Sequence, residues 1–221
     1  MERKVIDTSD GSKTLFIPEM DEQYHSINGA LTESNHVFLN AGFNHHKSAT
    51  PVVFEVGFGT GLNALLTAEA AEQQKRKTTF VTIEKYPLKQ ELIEQLNYGK
   101  LISEQAELLF TKIHAANWNE EIQISSFFTL LKIEGDLTNF RFETPRKFDI
   151  IYFDAFGPDK QPDMWKPDIF NKIYDVSAKD ATFVTYSAKG QIRRQLQDCG
   201  YSMERLPGPP GKRQMLRGTN I

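Results

Sequence analysis

The stretch that most constrains this chain is Phe54–Leu66, FEVGFGTGLNALL. An apolar run from Pro51 to Phe54 reaches an acid, Glu55, and three glycines follow at alternating positions, Gly57, Gly59 and Gly61. Behind them Leu62, Leu65, Leu66 and Ala70 recur at helical spacing. The pattern is strand, tight turn, helix. Missing side chains let the backbone turn sharply or approach a ligand closely, and the free N–H groups of the new helix face that ligand. On this stretch alone, a plain strand-to-helix turn is also open.

Downstream the pattern alternates. Strands are expected over 52–56, 79–84, 127–133, 148–153, 181–186, 202–206 and 214–217, and helices over 62–74, 88–97, 103–115, 165–176 and 190–199. Such alternation predicts an α/β fold with a mostly parallel sheet covered by helices on both faces. The short turn at Pro207–Gly211 makes the last two strands antiparallel, so one reversed edge strand is expected. Ahead of this unit lie a β-like run at Thr14–Ile17, a turn at Asn28-Gly29 and a helical pattern from Thr32 to Ala41 closed by Gly42. Residues 1–50 therefore read as a small β/α extension packed on the core, and residues 51–221 as a single structural unit.

The chain has one cysteine, Cys199, which excludes an internal disulfide and any cysteine-based zinc cluster. His45 and His46 adjoin Asn44 and Lys47 in a polar loop and read as surface residues, so no metal site is expected. The N-terminus MERKVIDTSDG lacks the apolar run of a signal peptide, and no apolar stretch is long enough to span a bilayer. The expectation is a cytoplasmic protein with no membrane partner. A net charge of −3 argues against non-specific nucleic-acid binding. From Lys189 to Arg217, however, seven basic residues stand against two acids. A basic patch on an acidic body suits a localised anionic partner such as RNA, or is simply a solvated helix face.

In an open α/β sheet, ligands bind beyond the carboxyl ends of the strands. Four acids stand there: Glu55, Glu84, Asp136 and Asp154. The G-x-G-x-G spacing, with an acid two residues before the first glycine, resembles the cofactor loop of class I S-adenosyl-L-methionine methyltransferases. That resemblance implies their Rossmann-like fold, with S-adenosyl-L-methionine as cofactor and S-adenosyl-L-homocysteine as product. Glu55 orders the loop or accepts from the methionine ammonium, Glu84 receives the ribose hydroxyls, and Asp136 lies at the adenine. Gly57, Phe58, Gly59, Gly61, Asn63, Lys85 and Asp154 complete the expected cofactor site.

Asp154 closes the apolar run FDIIYF and opens the loop DAFGPDKQPDMW, bent by Gly157, Pro158 and Pro162. Trp165 is there either to stack on a substrate base or to anchor the core, and Lys160 reads as a surface residue on spacing alone. Five blocks, Tyr24–Leu39, Phe54–Asn63, Ile83–Leu88, Tyr152–Trp165 and Thr185–Tyr201 with Pro210–Gly218, together resemble the methyltransferases that complete 5-methylaminomethyl-2-thiouridine at the tRNA wobble position. In many bacteria these form the N-terminal half of a bifunctional protein whose other half is a flavin oxidase. The resemblance implies a stand-alone methyltransferase, read as a monomer, acting on the tRNA anticodon stem-loop, with another enzyme supplying the aminomethyl group. It implies Asp154 as the catalytic residue, and Tyr24, Glu33, Phe156, Lys160, Trp165, Lys212 and Arg213 as substrate-binding. Lys189, Arg193, Arg194 and Arg217 join Lys212 and Arg213 as a candidate phosphate track. Asn28 departs from the pattern, where an aspartate is expected. Two other readings stay open: a methyltransferase for a small amine or acid, and a non-catalytic S-adenosyl-L-methionine-binding module.

Overall fold

Period-two burial sorts the strand residues between two cores. Val53 and Tyr152 point to one face of the sheet, and their neighbours Phe54, Ile151 and Phe153 to the other. The computed structural model describes residues 1–142 and 146–221. The central sheet contains β4 (Val52–Val56), β5 (Thr78–Glu84), β6 (Glu121–Ser125), β7 (Phe128–Glu134), β8 (Phe148–Phe153), β9 (Ser177–Thr185), β10 (Tyr201–Pro207) and β11 (Gln214–Asn220). Its order is β10-β11-β9-β8-β4-β5-β7-β6. Strands β9, β8, β4, β5 and β7 run parallel.

The mostly parallel sheet with a reversed last strand is as expected, but the reversed strand is not at the edge. β11 inserts between β9 and β10, antiparallel to both. β6 was not expected. It pairs antiparallel with β7 at the opposite edge, a short strand in which only Ile122 and Ile124 alternate with the exposed Glu121 and Gln123.

Helices α2 (Leu62–Gln74) and α5 (Glu104–Ala115) cover one face, and α6 (Pro167–Val176) and α7 (Gly190–Asp198) the other. α5 starts at Ser103, whose hydroxyl accepts from Ala106 N. α6 starts later than the apolar pattern suggests. Lys166, held extended before Pro167, ends the turn at Pro162–Trp165, and Pro167 takes the first helical position. The helix expected over 88–97 is only α3 (Gln90–Ile93), followed by α4 (Tyr98–Ile102). No helix among the described residues is long and apolar enough to cross a membrane.

The N-terminal segment forms a small antiparallel sheet of β1 (Lys4–Asp7), β2 (Lys13–Ile17) and β3 (Glu22–Gln23). Then α1 (Ala30–Ser34) runs into a π-helical stretch, Asn35–Phe43, so the helical pattern expected over Thr32–Ala41 is helical but starts earlier and continues through Gly42, which was expected to close it. Leu15, Val37, Phe38 and Phe43 join the core beneath α2. The link from the π-helical stretch to β4 is held by Arg76, which donates to the carbonyls of Phe43, His46 and Ser48 and lies 4.2 Å from the Phe43 ring centroid. Replacing Arg76 by Met leaves three carbonyls without this donor. The expected loss is about 1–3 kcal/mol of unfolding free energy, read from urea melts.

Candidate functional site

The chain leaves β4 toward β5 and β7 and later crosses back to β8 on the other side of β4. The loops after β4 and β8 therefore part at the topological switch of the sheet, where an open α/β fold leaves a crevice. They touch at its floor. Asp154 N donates to Val56 O at 3.0 Å. Gly57, at φ +91°, lies so close that a Cβ there would sit 2.8 Å from the Asp154 carbonyl oxygen. Gly59, at φ +50°, faces the Tyr24 ring, 3.1 Å from where its Cβ would be. Glu84 braces this turn, accepting from Gly59 N at 3.0 Å and from Tyr86 N at 2.8 Å.

Above the loops lies a cavity of about 650 Å³. It crosses the carboxyl ends of β7, β5, β4, β8 and β9, and the N-terminal segment and the β10–β11 turn close it. At the β7 end, Asp136 accepts from Lys85 Nζ at 2.8 Å and from Thr138 N at 2.9 Å. Partial burial works to raise its pKa, but those donors prevail and hold the carboxyl below its ordinary range. At the β8–β9 end stand Asp154, Glu33, Lys212 and Tyr186. Lys212 Nζ is 2.5 Å from Glu33 Oε1 and 4.0 Å from the Tyr186 ring centroid. Glu33 Oε2 accepts from Ser26 N at 2.8 Å. Asp154 Oδ2 accepts from Asn63 Nδ2 at 2.8 Å. Burial, and then the negative charge of Glu33, push Asp154 up to about 7, against the opposing pull of Asn63 and Lys212.

The cavity brings together Tyr24, Glu33, Gly57, Phe58, Gly59, Glu84, Lys85, Asp136, Asp154, Phe156, Lys160 and Lys212. Tyr24 and Phe156 meet edge to face at 5.1 Å, and Arg3 Nε donates to the Tyr24 hydroxyl at 2.9 Å. Lys160 is spent on a tether, donating to Met20 O at 2.7 Å. Gly61 and Asn63 lie behind the loop at the start of α2, buried and outside the cavity wall. Glu55 is 0 % exposed and turned to Thr82, so it does not reach a ligand's ammonium as expected. Trp165 is likewise corrected. It is 3 % exposed, lies against Phe153 and Phe170, and donates its indole N–H to Phe156 O at 2.7 Å. It is a core anchor that sets Phe156, not a stacking surface.

Arg213 is exposed outside the cavity. Lys189 pairs with Asp159, and Arg217 with Glu204, so the expected phosphate track is partly neutralised. Sequence reasoning missed Tyr186 and His25 in the wall. Tyr186 directly follows β9, so the strand-end rule that found the acids would have found it. His25 Nε2 lies 2.7 Å from Thr60 Oγ1 of the glycine turn. Burial holds His25 at about 4, so the ring is neutral at pH 7.

The family described as S-adenosyl-L-methionine-dependent methyltransferase matches residues 101–221. The chain is 32 % identical over 222 residues to the tRNA 5-methylaminomethyl-2-thiouridine biosynthesis bifunctional protein MnmC of Burkholderia vietnamiensis, covering 93 % of this chain and 33 % of that protein. The protein of the same name from Pseudomonas savastanoi pv. phaseolicola is 34 % identical over 218 residues, covering 92 % of this chain and 33 % of its own length. The chain thus spans about a third of the length of these relatives. The crystal structure of MNMC2 from Aquifex aeolicus superposes with a TM-score of 0.79 at 24 % identity, covering 98 % of this chain and 70 % of that one. That likeness shows the fold, a Rossmann-like methyltransferase sheet.

The raised Asp154 pKa has a consequence for stability. Between the unfolded value near 3.8 and the folded value of about 7, the native state binds the extra proton, so stability falls as pH rises through this window and levels off above it. Asp154→Asn removes that penalty. Its Tm should match wild type near pH 4 and exceed it at pH 8 by on the order of 10 °C in calorimetry.

Proposed function

The chain belongs to the S-adenosyl-L-methionine-dependent methyltransferase family, and on that premise we propose that it methylates the primary amine of 5-aminomethyl-2-thiouridine at the tRNA wobble position, giving 5-methylaminomethyl-2-thiouridine. The relatives' names supply the nucleoside. The observation that carries the reading is the Asp154 carboxyl, poised near neutrality at the crevice where the glycine loop meets the substrate-side wall.

The residues present fit the cofactor. The turn at Gly59 leaves a cradle that a side chain would fill, and each Glu84 oxygen keeps a lone pair beyond its backbone N–H, free for ribose hydroxyls. Asp136 and Lys85 bound the far end, where a nucleoside base would sit. Bound S-adenosyl-L-methionine supplies an electrophilic sulfonium methyl. Asp154, pinned through Oδ2 by Asn63, keeps Oδ1 to accept from the acceptor amine, orient its lone pair and take its proton. Tyr24, Phe156 and Tyr186 give aromatic surface for a base drawn out of its stack. Lys212 balances Glu33, so Asp154 does not face a second uncompensated carboxylate. Arg194 and Arg213, exposed and without carboxylate partners among the described residues, are the remaining candidates for phosphate contacts.

The test is incubation with S-adenosyl-L-methionine and tRNA carrying 5-aminomethyl-2-thiouridine, followed by nucleoside mass spectrometry. A gain of one methyl on that nucleoside is expected. Equal methylation of simple amines, or no gain, overturns the reading. Asp154→Ala should keep cofactor binding by calorimetry while transfer falls by about 10²–10⁴-fold. Reversing the charge of Arg194 and Arg213 together should weaken tRNA binding and reduce its salt slope by roughly one to two.

A further inference from the structure

Lys132 on β7 is 1 % exposed, a buried ammonium for which the proposed chemistry has no use. Two of its three N–H groups go to the end of α5, donating to Ile113 O at 2.9 Å and His114 O at 3.1 Å. Carbonyls in the last turn of a helix carry partial negative charge and favour a cation. They hold no full charge, however, and no carboxylate pairs with Lys132 among the described residues. Burial lowers its pKa to about 8, so the ammonium still keeps its charge at pH 7.

That ammonium lies in the wall of a second cavity, of about 230 Å³, behind the glycine turn. Phe58 and Gly59 of the turn line both this cavity and the larger one. The exposed Gln90 marks its mouth. Among the described residues no aspartate or glutamate lines it, and its one other titratable side chain, His114, is neutral. His114 Nε2 donates to Thr60 O at 3.2 Å, and burial, with the charge of Lys132, holds the ring at about 3. The cavity therefore carries one uncompensated positive charge. The rings of Trp118 and Phe58 flank it, with centroids 4.9 and 5.6 Å from Lys132 Nζ.

We propose that this second cavity binds a small planar monocarboxylate, with its carboxylate on Lys132 and its flat body against Trp118 and Phe58. One buried cation is matched by one negative charge, whereas a dianion such as phosphate would leave an unpaired charge of the opposite sign. The third N–H of Lys132 is the donor that α5 does not use. The walls are flat because two aromatic rings, set at 88° to each other, form them. The ligand must be small, since the volume falls below the ~300 Å³ at which pockets for drug-sized molecules begin. A lysine serving only to cap α5 would account for two of its N–H groups, but not for a cavity with a cation and no acid in its wall.

The chain has two tryptophans, Trp118 packed on one face of the sheet and Trp165 on the other, so their indole N–H signals in proton–nitrogen NMR separate this cavity from the rest of the molecule. The probe is benzoate at pH 7, with Trp118→Phe assigning the two signals. Benzoate should move the Trp118 signal saturably, with a Kd of about 1 mM or below, and leave the Trp165 signal in place. Benzamide, the same shape without the charge, should bind at least about tenfold more weakly, as should benzoate to Lys132→Met. Inorganic phosphate should bind more weakly than benzoate. No saturable shift of Trp118, a shift of Trp165 instead, benzamide or Lys132→Met binding as tight as benzoate to wild type, or a preference for phosphate each overturns the proposal. If Lys132→Met fails to fold, the benzamide and phosphate titrations of the wild type still decide it.

Discussion

Everything at this site depends on the gap between the loops after β4 and β8, which is too narrow for a side chain. Gly57 fills it, and Asp154 N closes it with a bond to Val56 O. Because the two loops share that floor, the glycine turn and the carboxylate of Asp154 cannot drift apart. Their separation is set by the β4–β8 pairing beneath them, not by the loops themselves. A ligand held by the one is delivered to the other by the paired strands of the sheet.

On that floor the electrostatics follow a simple arrangement. Acids collect around the cavity, three at strand ends and Glu33 on α1, and each has different partners. Asp136 is tied to a lysine and a backbone N–H and stays ionised. Glu84 is braced by backbone donors. Glu33 is neutralised by Lys212. Asp154 has an amide donor but no direct cation, and burial leaves it poised near neutral pH. Four carboxyl groups within one cavity thus have separate tasks because their nearest partners differ.

The sequence exposed the features that depend on local rules. The Val52–Val56 and Phe148–Phe153 strands are mostly apolar and almost wholly buried, and the glycine turn must sit where it does. The acids Glu84, Asp136 and Asp154 were found because strand ends are where a parallel sheet offers a ligand. What escaped depends on long-range choices. Whether Trp165 faces inward is decided by Phe153 and Phe170, and nothing near it in sequence encodes that. Glu55 obeys the alternation of β4 and points toward Thr82, although its place before the glycines suggested a ligand. Antiparallel pairing of β10 and β11 was legible from a short turn, but insertion of β11 beside β9 is a matter of topology, which no local window contains.

The Lys212–Glu33 pair joins residues 179 positions apart. It can form only after β11 has found its slot between β9 and β10 and the N-terminal segment has settled over α2. Contacts between such distant parts of a chain form late and slowly, because loop closure is paid for before the contact is made. The cofactor end of the cavity rests on nearer neighbours, such as the hydrogen bond from Gly59 to Glu84 across 25 positions. Folding would therefore build the two halves of the cavity at different times: a nucleotide cradle first, and the acceptor pocket only once the chain is almost entirely folded.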